Sequence, residues 1–464
     1  MTDAAGVSHL DGDAEHAWSG AVVADSPVSA RDVARVGRIE GGPVRHVALR
    51  LDAGRLRSVH RELAQRLARE TGIHVSVVHG SSAQPPLPAS VDLLLKLEGM
   101  VRLSRGSRLS DRLDMAELPF PQPAAGAPPD LTIDLCGGEP AEHQRTVRVL
   151  YDGVASEGAL FGALLAGQMS TIEIEDPHTG RVLSRGVPAD DNAATVLEAY
   201  ECVLARVVTL LISVVRGWAM LVPARHVAAR GPRARDIAAF AAKTLAHAAV
   251  RRLYHLCCYA PHWRTCWRFV DGPDLWQTGT LSGTSWDVIP DPGFRFYADP
   301  FPFLHEGRTF VFVEDLDHHS NKGIISVVPF DERGPSGPAQ PVLEEPWHLS
   351  YPFVFAHAGQ VWMIPESSAN RSITLYRADP FPSRWVREAT LVADVEASDA
   401  TIVHYGDSFW MFAATRDGAG SWSDTLSIYS ASEILGPWKA HCANPVLIDQ
   451  ATARPAGAFV KRGG

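Results

Sequence analysis

Ala298-Asp299-Pro300-Phe301-Pro302-Phe303 runs to a turn at Gly307 and returns as Phe310-Val311-Phe312-Val313-Glu314. The same grammar recurs at Ser350-Tyr351-Pro352-Phe353-Val354-Phe355, Gly359 and Val361-Trp362-Met363-Ile364-Pro365-Glu366. A third copy reads Ser398-Asp399-Ala400-Thr401-Ile402-Val403, Gly406 and Phe409-Trp410-Met411-Phe412-Ala413-Ala414. A fourth opens at Ala453-Arg454-Pro455-Ala456-Gly457. Asp299, Tyr351, Asp399 and Arg454 therefore correspond, 52, 48 and 55 residues apart. Third strands follow at Ile373–Ala378 and Leu426–Ala431, with edges marked by Trp385 and Trp438. Four short strands in a repeat of this length predict a β-propeller blade. The first strand of a blade lines the central channel, so the four corresponding residues are expected to ring one mouth, a natural small-molecule or glycan site. Glu314 and Glu366 share a second repeat position, fifteen residues further on, and are expected to face the same channel.

Outward from the repeat, the chain changes character near residue 260. Ten of its 12 Trp lie beyond that point. Before it, helical and strand periodicities alternate. His46–Ala53 reads as a strand, Leu56–Arg69 as a helix with Leu56, Val59, Leu63 and Leu67 at helical spacing, and Ile73–Val78 as a β-branched strand. Such a β-α-β unit predicts an α/β layer with parallel strands. Further strands are expected at Val91–Leu97, Leu131–Leu135 and Thr146–Tyr151. A helix is expected at Gly158–Ala166, a hairpin over 171–186, and long helices over 192–216 and 236–257. Residues 1–44, rich in Ala, Gly, Ser and Asp, read as a disordered leader.

Composition sets the outer bounds. The 464 residues are 46% hydrophobic and 21% charged, with net charge −10 and pI near 6.0, which argues against a nucleic-acid partner. Six scattered cysteines without a CxxC pair point to free thiols in a cytoplasmic protein and to no structural zinc. No cofactor is indicated: there is neither a GxGxxG nor a GxxxxGK[ST] loop. Cys202–Val222 is apolar, but Arg206 and Arg216 interrupt it. It is too short between charges to span a membrane, leaving a buried helix or a peripheral membrane contact.

Two resemblances follow from the quoted residues. Asp299 in Ala298-Asp299-Pro300, with Asp399 two blades on, is similar to the catalytic positions of the five-bladed propellers of glycoside hydrolase family 43. That resemblance implies a general-base Asp, a second Asp and an acid Glu; here Arg454 stands where the acid belongs. The strings Phe296-Tyr297-Ala298-Asp299-Pro300-Phe301, His348-Leu349-Ser350-Tyr351-Pro352-Phe353-Val354-Phe355 and Trp362-Met363-Ile364-Pro365-Glu366 resemble the N-terminal domain of glucosamine inositolphosphorylceramide transferases. A formyltransferase-like α/β region in front of the propeller goes with this likeness. No Asn-x-His motif for formyl transfer is found, Asn192 being the first Asn.

The expected architecture is thus a Rossmann-like α/β domain over 45–258, then an all-β, five-bladed propeller over 259–464, with too little chain for all five blades. The expected function is transferase-related (a glycosyl or formyl group) in glycan or glycolipid synthesis. Its partner is a carbohydrate or sugar-lipid. A non-catalytic glycan-binding module, or a hydrolase using Asp299 and Asp399, are the alternatives. Asp299 and Asp399 are the catalytic candidates. Tyr351, Glu366, Arg454 and Glu314 are the substrate-binding candidates, with Arg454 either gripping an anionic group or pairing with a ring Asp. The Asp315-Leu316-Asp317 pattern followed by His318 and His319 has the residue types of a metal-nucleotide site, but its ordinary reading is a solvated blade loop, and no metal ligand is assigned.

Overall fold

The computed structural model describes residues 35–460 apart from 40–41, 102–106, 119, 122–127, 138–143, 192, 224–230, 260, 271, 273–274 and 282–284. The first half alternates β1 (Arg35–Arg38), β2 (His46–Asp52), α1 (Ser58–Arg69), β3 (His74–Gly80), α2 (Ala89–Val101), β4 (Leu131–Asp134) and β5 (Thr146–Tyr151). It continues through α3 (Glu157–Leu165), β6 (Ile172–Asp176), β7 (Arg181–Gly186), α4 (Val196–Val215), β8 (Trp218–Leu221) and α5 (Ala234–Tyr254). One eight-stranded sheet results, in the order β1-β8-β7-β6-β5-β4-β2-β3.

The β-α-β expectation holds at its centre, where β2 pairs in parallel with both β3 and β4, and β4 with β5. Val47, Ala48, Leu49 and Leu51 of β2 are all buried because helices or loops cover both faces. Beyond β5 the sheet turns antiparallel through the β6–β7 hairpin, so the layer is mixed. Side-chain caps set the helix starts: Ser156 accepts from the Gly158 N–H at α3, and Thr195 from the Glu198 N–H at α4.

Two expectations need correction here. Val91–Leu97 is helix, part of α2; Val91, Leu94 and Leu95 are buried at helical spacing while Leu93 and Leu97 are exposed. A short apolar run does not by itself distinguish the two periods. The supposed leader reaches too far, since Arg35–Arg38 pairs antiparallel with Trp218–Leu221 and the Arg38 guanidinium stacks 4.0 Å over Trp218. Residues 1–34 lie outside the described residues.

The second half is all β apart from short helical turns. A small ribbon, β9 (Cys266–Trp267) with β10 (Asp287–Val288), covers the outer face of the first blade, where Trp267 packs against Val328 and neighbours. Blade one is β11 (Arg295–His305), β12 (Arg308–Asp317), β13 (Lys322–Asp331), β14 (Gly334–Pro335) and β15 (Gln340–Leu343). Blade two is β16 (Ser350–His357), β17 (Gln360–Glu366), β18 (Ser372–Ala378) and β19 (Trp385–Ala393). Blade three is β20 (Ala397–Tyr405), β21 (Ser408–Thr415), β22 (Thr425–Ala431), β23 (Lys439–Ala440) and β24 (Leu447–Ile448). Among the described residues there are three such sheets, sharing one aromatic core that includes Phe312, Phe353, Trp362 and Met411. Among the described residues, the fourth copy contributes the segment around Arg454.

The halves interlock. Ile448, at the end of blade three, is fully buried in the core of the α/β sheet, and Val187 bridges in parallel to Asp449. Helix α4 lies between the sheet and blade three, with 17 of its 20 residues buried. Its Arg206, fully buried, grips Asp424 of the β21–β22 loop with Nη2–Oδ1 at 2.6 Å. The membrane contact considered for 202–222 is therefore corrected: most of that stretch is covered by protein.

Candidate functional site

Asp299, Tyr351 and Asp399 each sit on the first strand of a blade, at an irregularity in strand pairing, while Arg454 lies in a turn after the last strand. The β11–β12 register shifts between Ala298 and Phe301, the β16–β17 register between Ser350 and Phe353, and the β20–β21 register between Ser398 and Thr401. Inside these bulges Asp299, Tyr351 and Asp399 all have positive φ, at 46°, 43° and 56°. For a residue with a side chain this left-handed conformation is uncommon, and for Tyr it is a true outlier. A bulge that recurs in three blades is a designed feature that re-aims a side chain.

The three bulges and Arg454 converge. The Tyr351 N–H donates to the Asp299 carboxylate at 3.2 Å. The Tyr351 hydroxyl meets Thr401 Oγ1 at 2.8 Å and accepts from the Gly457 N–H at 2.7 Å, in the fourth copy. Arg454 donates through Nε to Asp399 Oδ2 and lies 3.8 Å from Glu366 Oε2. Of the two roles open to Arg454, the structure shows the ion pair. Its guanidinium neutralises Asp399, which is 2% exposed.

Glu366 closes β17 with one oxygen, Oε1, accepting from Ser368 Oγ at 3.2 Å; Oε2 is buried without a hydrogen-bond partner. Burial, followed by the Asp399 charge, raises its pKa to about 7. Burial, then Glu314 and Asp399, raises Asp299 to about 6. Glu314 on β12 lies 3.3 Å from His348 Nε2, and this contact raises the histidine pKa. His348 Nδ1 accepts from the Gly323 N–H at 2.9 Å, so the proton facing Glu314 is on Nε2.

Chemically, the mouth presents carboxylates, a tyrosine and a buried carboxyl group, Glu366, whose pKa is raised to about 7. Such groups accept and donate hydrogen bonds to sugar hydroxyls. The pairing of His348 with Glu314 was not legible in the sequence, because the histidine lies on the connection into blade two and the glutamate on blade one. Asp315 and Asp317, weighed as metal-nucleotide ligands, are instead taken up by Arg295, at 2.7 and 3.5 Å. In the α/β half, Asp134 accepts from the Cys136 N–H at 2.9 Å and Asp152 from the Thr171 N–H at 2.9 Å. A cavity of about 80 Å³ lies near the carboxyl ends of β2 and β4, lined in part by Asp52, Asp134, Tyr151, Glu157 and Tyr200.

The family model described as "Glucosamine inositolphosphorylceramide transferase 1, N-terminal" matches residues 288–463, the span that holds all three bulges. This segment is similar to that domain. Curated relatives of the same name come from Oryza sativa subsp. japonica, 35% identical over 155 residues, and Arabidopsis thaliana, 34% identical over 154 residues. Each match takes in 33% of this chain and 21% or 20% of the relative. The chain thus spans about a fifth of the length of the curated relatives it matches. Among solved structures it is similar to a thermostable family-43 glycoside hydrolase, at 12% identity over 33% of this chain and 56% of that one, TM-score 0.26. Exo-beta-1,3-galactanase from Phanerochaete chrysosporium matches at 14% identity over 34% and 40%, TM-score 0.28. Alpha-L-arabinofuranosidase from Lactobacillus brevis matches at 13% over 34% and 60%, TM-score 0.27.

Proposed function

We propose that the propeller mouth binds a carbohydrate and that the protein is transferase-related, acting in glycan or glycolipid synthesis. The observation that carries this reading is the recurrence of one strained bulge in three blades, each aiming a ring residue at the same mouth. Strain held at a repeated position points to a site, and the name of the relatives supports a glycosyl substrate. In this reading Asp299, Glu314 and Glu366 take sugar hydroxyls, Tyr351 orders the floor, and the Arg454–Asp399 pair fixes the wall. The division into a formyltransferase-like domain over 45–258 and a propeller over 259–464, and a cytoplasmic location, belong to the same proposal. The test is a glycan and nucleotide-sugar binding screen with wild type and Asp299→Ala. Loss of a hit in the variant supports the site, whereas equal binding by both removes the mouth from the argument.

A second reading is favoured by Glu366. Glycosidic bond cleavage needs a carboxylic acid that still holds its proton near neutrality, and Glu366, raised to about 7, meets that need although Arg454 does not. With Asp399 paired to Arg454, this reading takes Glu366 as the acid and Asp299 as the base. Release of 4-nitrophenol from aryl glycosides, abolished by Glu366→Gln, supports this reading; no release from any glycoside by wild type eliminates it.

A further inference from the structure

With α4 buried, another element is open to a lipid surface. Helix α5 packs on the α/β half through its first turns, where Ile237 and Phe240 reach the core. From Leu245 onward every described residue to Tyr259 is exposed. Leu245, Leu253 and Leu256 are 72%, 65% and 76% exposed, beside Val250. Helical spacing gathers Ala242, Leu245, Ala246, Ala249, Val250, Leu253 and Leu256 on one free face, with Lys243 and Arg252 on its two flanks. Exposed Tyr254, Tyr259 and Trp263 adjoin its carboxyl end.

Charge selects the occupant. Residues 237–264 contain no Asp or Glu but hold Lys243, Arg251, Arg252 and Arg264, in a chain of net charge −10. An apolar face flanked by cations, with Tyr and Trp at the boundary, has the composition of a helix lying in a membrane interface. No helix among the described residues is long and apolar enough to cross a membrane. A second copy packed through the same face would bring its Lys and Arg side chains against their counterparts. We propose that α5, with the residues that follow it, docks on the surface of an anionic lipid bilayer. The observations carrying this are independent of the sugar reading.

The test is co-sedimentation of the full chain with phosphatidylcholine vesicles and with vesicles also containing phosphatidylserine. Wild type is expected to sediment with the anionic vesicles only. Lys243→Glu and Arg252→Glu should each weaken partition more than about fivefold, the value of one interfacial cation. Leu245→Gln/Leu253→Gln should lower it at least tenfold, with an unchanged thermal midpoint because both positions are exposed. Equal sedimentation of wild type and the double Leu variant overturns the proposal. So does absence of wild-type binding to anionic vesicles, or a dimer by light scattering that the double Leu variant dissolves. Sugar binding in the Asp299→Ala screen is unaffected by any of these outcomes, so the two readings fail separately.

Discussion

Replacing Arg206 by Met tests whether the two halves act as one unit. The guanidinium donates Nε to both Asp424 oxygens at 3.0 Å, Nη2 to Oδ1 at 2.6 Å, Nη2 to the Ser421 carbonyl at 3.0 Å and Nη1 to the Asp417 carbonyl at 3.2 Å. Both partners of the ion pair are fully buried. Without Arg206, the Asp424 carboxylate keeps the Ala189 N–H at 3.0 Å and no cation. Breaking one side of such a pair costs about 3–5 kcal/mol, mostly the penalty of the charge left behind. Arg206→Met/Asp424→Leu removes both charges and should recover most of the loss, because a buried pair is worth little against apolar isosteres. Urea unfolding followed by circular dichroism measures both variants. Wild type should unfold with halves and blades together, and Arg206→Met should separate the α/β and blade transitions. An Arg206→Met within about 1 kcal/mol of wild type would refute the reasoning, since a pair that can be halved so cheaply was not desolvated.

Two further outcomes follow from the mouth. Asp299 and Glu366 have folded pKa values of about 6 and about 7, above their ordinary values. The stability this contributes is full at acid pH and is lost as pH rises from about 4 to about 7. Asp299→Asn and Glu366→Gln should therefore each stabilise the fold at pH 8, on the order of 2 kcal/mol, and have no benefit at pH 4; a gain equal at both pH values in thermal melts would show that titration is not the cause. Tyr351→Phe keeps the ring but strands the Gly457 N–H, at about 1–2 kcal/mol, while Thr401 Oγ1 keeps the Asp399 carbonyl. Its urea midpoint should fall and its affinity for any sugar found in the screen should weaken, and an unchanged midpoint would mean the hydroxyl does not hold the fourth copy.

Much of this protein was legible one residue at a time. The period near 50 residues, with aromatic strands and a polar residue at each entrance, determined the blades and named Asp299, Tyr351, Asp399 and Arg454, because strand alternation and turns are local properties of chain. The β-α-β start at His46 was legible for the same reason. Val91–Leu97 was not, since a short apolar run fits both periods. Only the tertiary structure decided that Arg454 belongs to Asp399, that Glu314 faces His348, and that burial raises the Glu366 pKa. It alone put Ile448 into the core of the other half and paired Arg206 with Asp424 across 218 positions. The physical reason is the same in each case. Burial and charge neighbours are set by which distant segments meet, and a side chain's ionisation follows its surroundings, which no local pattern in the chain encodes.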